Sequence, residues 1–241
     1  MRLLISVTMM LLICSASYAQ KQGQDKDWAL YSRYAEANDT ITVAPKAVFM
    51  GNSITENWLK FHPDFFSSHG YAARGISGQT TYHMLARFHS DVVALKPKAV
   101  VILSGINDIA RNSGIISLEN IMGNIISMCD IARANGIVPV LCSILPADYF
   151  SWRKDLKPAP LVVEMNKLIK AYADEQGFEY VDYYTSLADE NGALKEGLSK
   201  DRCHPYPDVY YGMEEKVVAA IEKAAAQKGG KKGAKKAKSR K

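Results

Sequence analysis

Five short, mostly apolar runs recur along this chain with longer helical stripes between them, and this alternation limits the fold more than any other feature. The runs fall at residues 47–50, 71–74, 98–103, 137–145 and 178–182, and the first two end at Gly51 and Gly75. Those at 98–103 and 137–145 are apolar on both faces, the pattern of central strands covered on each side. Between the runs, Met84, Leu85, Phe88 and Val92 line one stripe of a helix predicted over 80–95, which Pro97 follows. Ile121, Ile125, Met128 and Ala132 recur at helical spacing before a stop at Gly136, and Val162, Met165, Leu168, Ile169 and Tyr172 form the inner side of a helix over 161–175. A last helix is predicted from Pro207 to about Gln227. Strand–helix alternation of this kind gives right-handed crossovers and helices on both faces of a parallel sheet. The expected architecture is a three-layer α/β/α sandwich around a central parallel sheet of about five strands. No internal repeat of a length that would suggest a solenoid or propeller is present.

Both ends of the chain lie outside that pattern. Met1-Arg2, the apolar stretch from Leu3 to Cys14 and the small-x-small Ser17-Tyr18-Ala19 read as a signal peptide over 1–19, cut after Ala19. The apolar stretch is shorter than the roughly 20 residues a spanning helix needs, and no other segment is apolar enough to cross a membrane. Export to the periplasm or the exterior is therefore expected. Residues 228–241 carry eight basic and no acidic residues; with these and Arg2 removed, the net charge of +5 becomes −4 for residues 20–227. The basicity thus belongs to a tail, expected to be disordered, and residues 20–227 form the one expected folded domain. No nucleic-acid-binding module is evident. Past the leader the cysteines are Cys129, Cys142 and Cys203, without the pairing of a disulfide framework or the C-x-x-C of a zinc site; Cys129 and Cys142 read as buried free thiols.

In open α/β sheets the site lies beyond the carboxyl ends of the strands. The turns to examine are therefore Gly51-Asn52-Ser53-Ile54-Thr55, Gly75-Ile76-Ser77-Gly78-Gln79 and Ser104-Gly105-Ile106-Asn107-Asp108. Ser53 alone would suit a helix N-cap. As a nucleophile it needs a base within hydrogen-bond reach and a third group to orient that base. His62 and His69 fall in the loop before the second strand, and His83 and His89 in the first long helix. His204 differs, because it precedes the last helix and has Asp201 three residues before it. Ser53, His204 and Asp201 are the candidate catalytic residues, with the backbone N–H groups of Ser53 and Gly75 and the side-chain amide of Asn107 as candidate oxyanion donors.

These blocks resemble those of the SGNH hydrolase superfamily, the GDSL-like lipases and esterases. The resemblance runs from about Ala47 to Tyr211 and rests on Gly51-Asn52-Ser53-Ile54-Thr55, Gly75, Gly105-Ile106-Asn107-Asp108 and Asp201-Arg202-Cys203-His204. The stretches Gly75-Ile76-Ser77-Gly78-Gln79-Thr80-Thr81 and Val100-Val101-Ile102-Leu103-Ser104-Gly105-Ile106-Asn107-Asp108 are similar to platelet-activating-factor acetylhydrolase-like esterases. The resemblance implies the roles just given, and neither a metal nor an organic cofactor. One departure is Asn52, where the family name reports aspartate.

Three aromatics in Tyr149-Phe150-Ser151-Trp152, after the fourth strand, are more than a solvated loop ordinarily carries; Tyr149 and Trp152 are candidates for a substrate wall or a sugar platform. Nothing resembles a long apolar lid. The expected substrate is a small ester, with an acetyl group on a carbohydrate as the simplest case. The alternatives are a lysophospholipase or thioesterase taking longer chains, and a non-catalytic glycan-binding relative.

Overall fold

The parallel sheet is built from β1 (Ala47–Gly51), β2 (Tyr71–Gly75), β3 (Ala99–Leu103), β4 (Val138–Cys142) and β5 (Glu179–Val181), in the order β2-β1-β3-β4-β5. The structure is a computed structural model and describes residues 27–238, with side chains through residue 226; the expected leader over 1–19 lies outside the described residues. The chain crosses one way from β1 to β2 and the other way from β2 to β3, so the switch point falls between β1 and β3. Their register pairs Gly51 with Leu103, and Gly51 also pairs with Gly75. Three strands therefore end level, and the turns that follow them open on one edge.

The helices are α1 (Ala35–Asp39), α2 (Ser53–Phe61), α3 (Pro63–His69), α4 (Thr81–Phe88), α5 (Ile106–Ile109), α6 (Leu118–Ala134), α7 (Ala159–Gln176), α8 (Tyr184–Leu187) and α9 (Val209–Lys238). Alternation along the strands divides the core in two. Val48, Met50, Val100, Ile102 and Leu141 face Met84 and Phe88 of α4, Ile121 and Ile125 of α6, and Met165 and Ile169 of α7. Phe49, Val101, Leu103 and Val140 face Ile54 and Trp58 of α2, Phe65 and Phe66 of α3, and Met213 and Val217 of α9. This is the three-layer sandwich expected. Trp58, one turn beyond Ser53, is a core residue at 1% exposure.

The differences from expectation have local causes. Residues 63–69 form a helix where a loop was expected; Pro63 suits its first position, and Gly70 ends it at φ +68°. The helix expected over 80–95 is α-helical to Phe88 and then widens into a π turn, where the Ala94 N–H donates to the His89 carbonyl at 2.9 Å. β4 stops at Cys142 rather than 145, because the Asn166 side chain takes over the backbone of Ile144, accepting from its N–H at 2.8 Å and donating to its carbonyl at 3.0 Å. α9 runs to Lys238, past the end expected near Gln227, with Gly229, Gly230 and Gly233 within its range. The segment over 28–40 escaped the sequence reading altogether. It lies against β2, with the Tyr34 hydroxyl donating to the Gly75 carbonyl and the Gln79 amide donating to the Ala29 carbonyl.

Two buried features of this edge make measurable predictions. A Cβ on Gly75 would lie 2.3 Å from the Glu56 nitrogen and 2.7 Å from the Asn52 oxygen, both backbone atoms of the turn into α2. Gly75→Ala is expected to lower the unfolding free energy by about 1–3 kcal/mol or more in urea titration; an unchanged midpoint would show that α2 does not press on β2 as described. Asp108, at the head of α5, is 2% exposed and accepts the Thr81 N–H at 2.9 Å and the Thr81 hydroxyl at 2.6 Å. Burial raises its pKa to about 6 against the bonds from Thr81 that favour the anion. The folded state therefore holds a proton that the unfolded chain releases near pH 4, so this group costs stability as pH rises from about 4 to about 6 and adds no further change above that. The stability of Asp108→Asn relative to the natural chain should grow by about 3 kcal/mol across that window. A difference that stays flat with pH would contradict the burial.

Candidate active site

Asn52 is the last residue before α2, and its side-chain oxygen accepts the Ile54 N–H at 3.0 Å. The capping role open to Ser53 thus belongs to its neighbour, and the Ser53 hydroxyl is left for another partner. That partner is His204, whose Nε2 lies 2.8 Å from the Ser53 Oγ across 151 residues of chain. The departure at position 52 leaves the cap intact, since an amide oxygen accepts the same N–H that a carboxylate would.

His204 is set by a tight turn. One oxygen of Asp201 accepts the backbone N–H groups of Cys203 and His204 at 3.0 and 2.8 Å, and the other lies 2.7 Å from His204 Nδ1. A ring nitrogen bonded to a carboxylate carries the proton, which leaves Nε2 as the acceptor facing Ser53. Burial alone would raise the Asp201 pKa, but the His204 N–H, the His204 ring and the Cys203 N–H outweigh it and hold the carboxyl below its usual range. Arg202, at the corner, has φ +65°. Its guanidinium grips Asp148, with Nε 2.9 Å from Oδ1, and lies 5.5 Å over the Tyr149 ring. A residue held left-handed costs about 1–2 kcal/mol, which the turn and the Asp148 contact must offset.

The three residues open on a cleft of about 570 Å³ lined by Ser53, Asn57, Ser77, Gly78, Asn107, Asn112, Trp152, Asp201 and His204. Gly75, expected to offer an N–H here, is absent from that lining, and this corrects the sequence reading. The Ile76 N–H donates to the Gly51 carbonyl, so the ladder turns Gly75 the other way; its carbonyl meets Tyr34 on the outer edge. The glycine that reaches the cleft is Gly78, three residues on. The turn from Ile76 to Gln79 is closed by the Gln79 N–H on the Ile76 carbonyl, with Gly78 at φ +79°, the conformation required at the third position of a type II turn. Glu56 holds the turn from below, accepting the Ser77 N–H at 2.8 Å and the Ser77 hydroxyl. Asn107 lines the cleft as expected and donates one Nδ2 hydrogen to the Gln79 carbonyl at 2.9 Å.

Of the two aromatics expected to wall the site, only Trp152 lines it; Tyr149 sits with Arg202. Asn57, one turn past Ser53 on α2, and Asn112 line the cleft and were missed, since a lone amide in a helix or loop carries no sequence signal. Tyr210 is buried, its hydroxyl donating to the Ile54 carbonyl at 3.0 Å, and neither Tyr206 nor Tyr211 lines the cleft. Cys129, Cys142 and Cys203 are free and buried. Among the described residues no cluster of His, Cys, Asp or Glu is placed to hold a metal ion, and no helix is long and apolar enough to cross a membrane.

The chain is 45% identical to a GDSL-like lipase from Bacteroides thetaiotaomicron, over 82% of this chain and 100% of that one, with a TM-score of 0.79. It is 44% identical to a protein assigned as an acylhydrolase from Bacteroides fragilis, over 83% of this chain and 100% of that one, with a TM-score of 0.81. The acetyl xylan esterase AlAXEase, at 17% identity, 73% and 98% coverage and a TM-score of 0.60, shares the fold. A curated relative, the uncharacterized lipoprotein YqeF of Bacillus subtilis, is 35% identical over 75 residues, and the match spans 30% of this chain and 31% of that protein. The sequence model of the GDSL-like Lipase/Acylhydrolase family matches residues 49–211, from β1 to the start of α9, and the chain belongs to that family.

Proposed function

We propose that this protein is an exported serine esterase that removes short acyl groups, acetyl in the simplest case, from carbohydrate. The observation that carries the reading is the pair of contacts at His204, 2.8 Å to the Ser53 hydroxyl on one side and 2.7 Å to Asp201 on the other. Membership of an acylhydrolase family supports the ester bond as the target.

In this reading the Ser53 oxygen adds to the acyl carbonyl while His204 Nε2 takes its proton. Asp201 keeps the imidazole in the needed tautomer and stabilises the imidazolium. The oxyanion is received by the backbone N–H groups of Ser53 and Gly78 and by the second Nδ2 hydrogen of Asn107. The imidazolium then protonates the departing alcohol, leaving the acyl group on Ser53. A water that gives its proton to His204 attacks that ester; the acyl group leaves as the carboxylic acid, and His204 returns the proton to the Ser53 oxygen.

The substrate class follows from the lining. Apart from Gly78 and the half-exposed indole of Trp152, every side chain around the cleft bears a hydroxyl, a carboxamide, a carboxylate or an imidazole. Such a surface suits a small acyl group and a hydroxylated alcohol portion better than a long alkyl chain. Trp152 offers the flat apolar face on which a sugar ring stacks. The leader-like pattern of residues 1–19 supports export, periplasmic or secreted.

The test is a panel of acetyl, butyryl and octanoyl p-nitrophenyl esters together with acetylated oligosaccharides, run beside Ser53→Ala. The natural chain should turn over acetyl esters fastest and be labelled by a fluorophosphonate probe. Ser53→Ala should lose labelling and at least about 10³-fold in turnover. Faster octanoyl hydrolysis would replace the acetyl reading with a long-chain one, and a natural chain that never labels would remove the esterase reading.

A further inference from the structure

The donor side of the cleft is held by a chain of side-chain hydrogen bonds that the proposed mechanism does not itself use. Trp152 Nε1 donates to Asn112 Oδ1 at 3.0 Å, Asn112 Nδ2 donates to Asn107 Oδ1 at 3.1 Å, and Asn107 Nδ2 donates to the Gln79 carbonyl at 2.9 Å. Both ends of the chain have only one role, since an indole N–H can only donate and a backbone carbonyl can only accept. The two carboxamides between them are therefore fixed in one sense, with neither free to flip. Asn112 Nδ2 also lies 3.4 Å from the Gly78 carbonyl, so one amide spans the Gly78 turn and Asn107.

The backbone explains why Asn112 lies over Asn107. α5 ends in a Schellman motif: the Arg111 N–H donates to the Asp108 carbonyl at 2.9 Å and the Asn112 N–H to the Asn107 carbonyl at 3.0 Å, with Arg111 left-handed at φ +58°. This closure folds residue 112 back over residue 107, so the pair is bonded through backbone and side chain together. A non-glycine residue is uncommon in that conformation, and here the two closing bonds hold it.

We infer that Asn112 is a positioning residue for ester hydrolysis: it orients the Asn107 carboxamide so that its free Nδ2 hydrogen faces the oxyanion, and it ties that donor to the Trp152 wall. Without Asn112, the Asn107 oxygen loses its donor, and the carboxamide, held by the Gln79 carbonyl alone, can swing about that bond and turn its second Nδ2 hydrogen away from the oxyanion. The effect belongs to the transition state, so kcat falls while KM changes little. This inference rests on the oxyanion role proposed for Asn107, and the test separates the two.

The experiment is a double-mutant cycle on p-nitrophenyl acetate with Asn107→Ala, Asn112→Ala and their combination, with thermal unfolding of each variant. Asn107→Ala should lose about 10²–10³ in kcat. Asn112→Ala should lose roughly tenfold in kcat with KM within about twofold, and nothing further when Asn107 is already alanine, because its action passes through that residue. The isosteric Asn112→Asp, which keeps the acceptor for Trp152 but has no N–H for Asn107, should lose at least as much and serves as the second variant if the alanine protein unfolds early. An unchanged kcat in both Asn112 variants, or losses at 107 and 112 that multiply in full, would overturn the positioning role. An Asn107→Ala protein with undiminished kcat would overturn the oxyanion assignment and the inference with it.

Discussion

Arg87 carries a guanidinium with no exposure to solvent, and the bonds that satisfy it draw the working edge of the sheet together. Its Nη2 donates to the carbonyls of Gly51 and Arg74, at the ends of β1 and β2, its Nε to the Gln79 side chain at 2.6 Å, and its Nη1 to Asp91 at 2.8 Å. A buried ion pair of this kind is weak evidence for stability, because desolvation of both charges consumes much of their attraction. Its value here is geometric. A planar cation with fixed donor directions can be satisfied in one arrangement of two strand ends and one turn, and that arrangement places Gly78 beside the serine turn.

From Gln79 the constraint passes across the cleft. The side chain of Gln79 is held by Arg87 and its carbonyl accepts from Asn107, so the turn after β2 and the turn after β3 are fixed against each other. Asp108, the next residue, accepts the Thr81 N–H and hydroxyl and repeats the tie one step deeper. The donor side of the cleft is thus a rigid, cross-linked unit. The acid–base side is built differently, from a turn whose five residues of interest, 199 and 201–204, bond mainly to one another. Its polar attachment to the rest runs through the Arg202–Asp148 pair and the contact of His204 with Ser53, while Cys203 packs into the core. The polar ties of this half to the rest of the site are therefore fewer than those of the donor side, and its turn is held by its own bonds and by the Cys203 side chain.

How much of this was legible follows from where each signal resides. Strand ends and their small-residue turns are written locally, so β1, β2, β3 and the site edge could be read directly. Asp201 and His204 were readable because a carboxylate three residues before an imidazole, at the head of the last helix, has few other uses. The choice between Gly75 and Gly78 was not, because it depends on which way a parallel ladder turns each N–H, and that is set by the partner strand. Gly75 is needed for a different reason, the close approach of α2 to β2. Tyr149 and Trp152 were equivalent as letters, and only the Arg202 guanidinium separates them by engaging the first. Asn112 has no local mark; its place comes from the Schellman closure of a helix only four residues long.

The amide at position 52 bears on the chemistry as well as on the cap. At the first turn of a helix the macrodipole would favour a carboxylate by about 0.3–1 kcal/mol. Asn52 is 1% exposed, however, and burying a charge there costs several kcal/mol unless it is fully paired. The desolvation cost is the larger, so a neutral acceptor meets the need of the Ile54 N–H at lower cost. Neutrality also matters for the neighbour. In the proposed reaction the oxyanion forms on the substrate carbonyl oxygen beside Ser53, and a fixed negative charge one residue away would oppose it in the same low-dielectric surroundings that strengthen the N–H donors. With asparagine in place, the carboxylate among the residues that line the cleft is Asp201, behind the imidazole, where in the proposed reaction it would stabilise the protonated histidine without facing the reacting carbonyl.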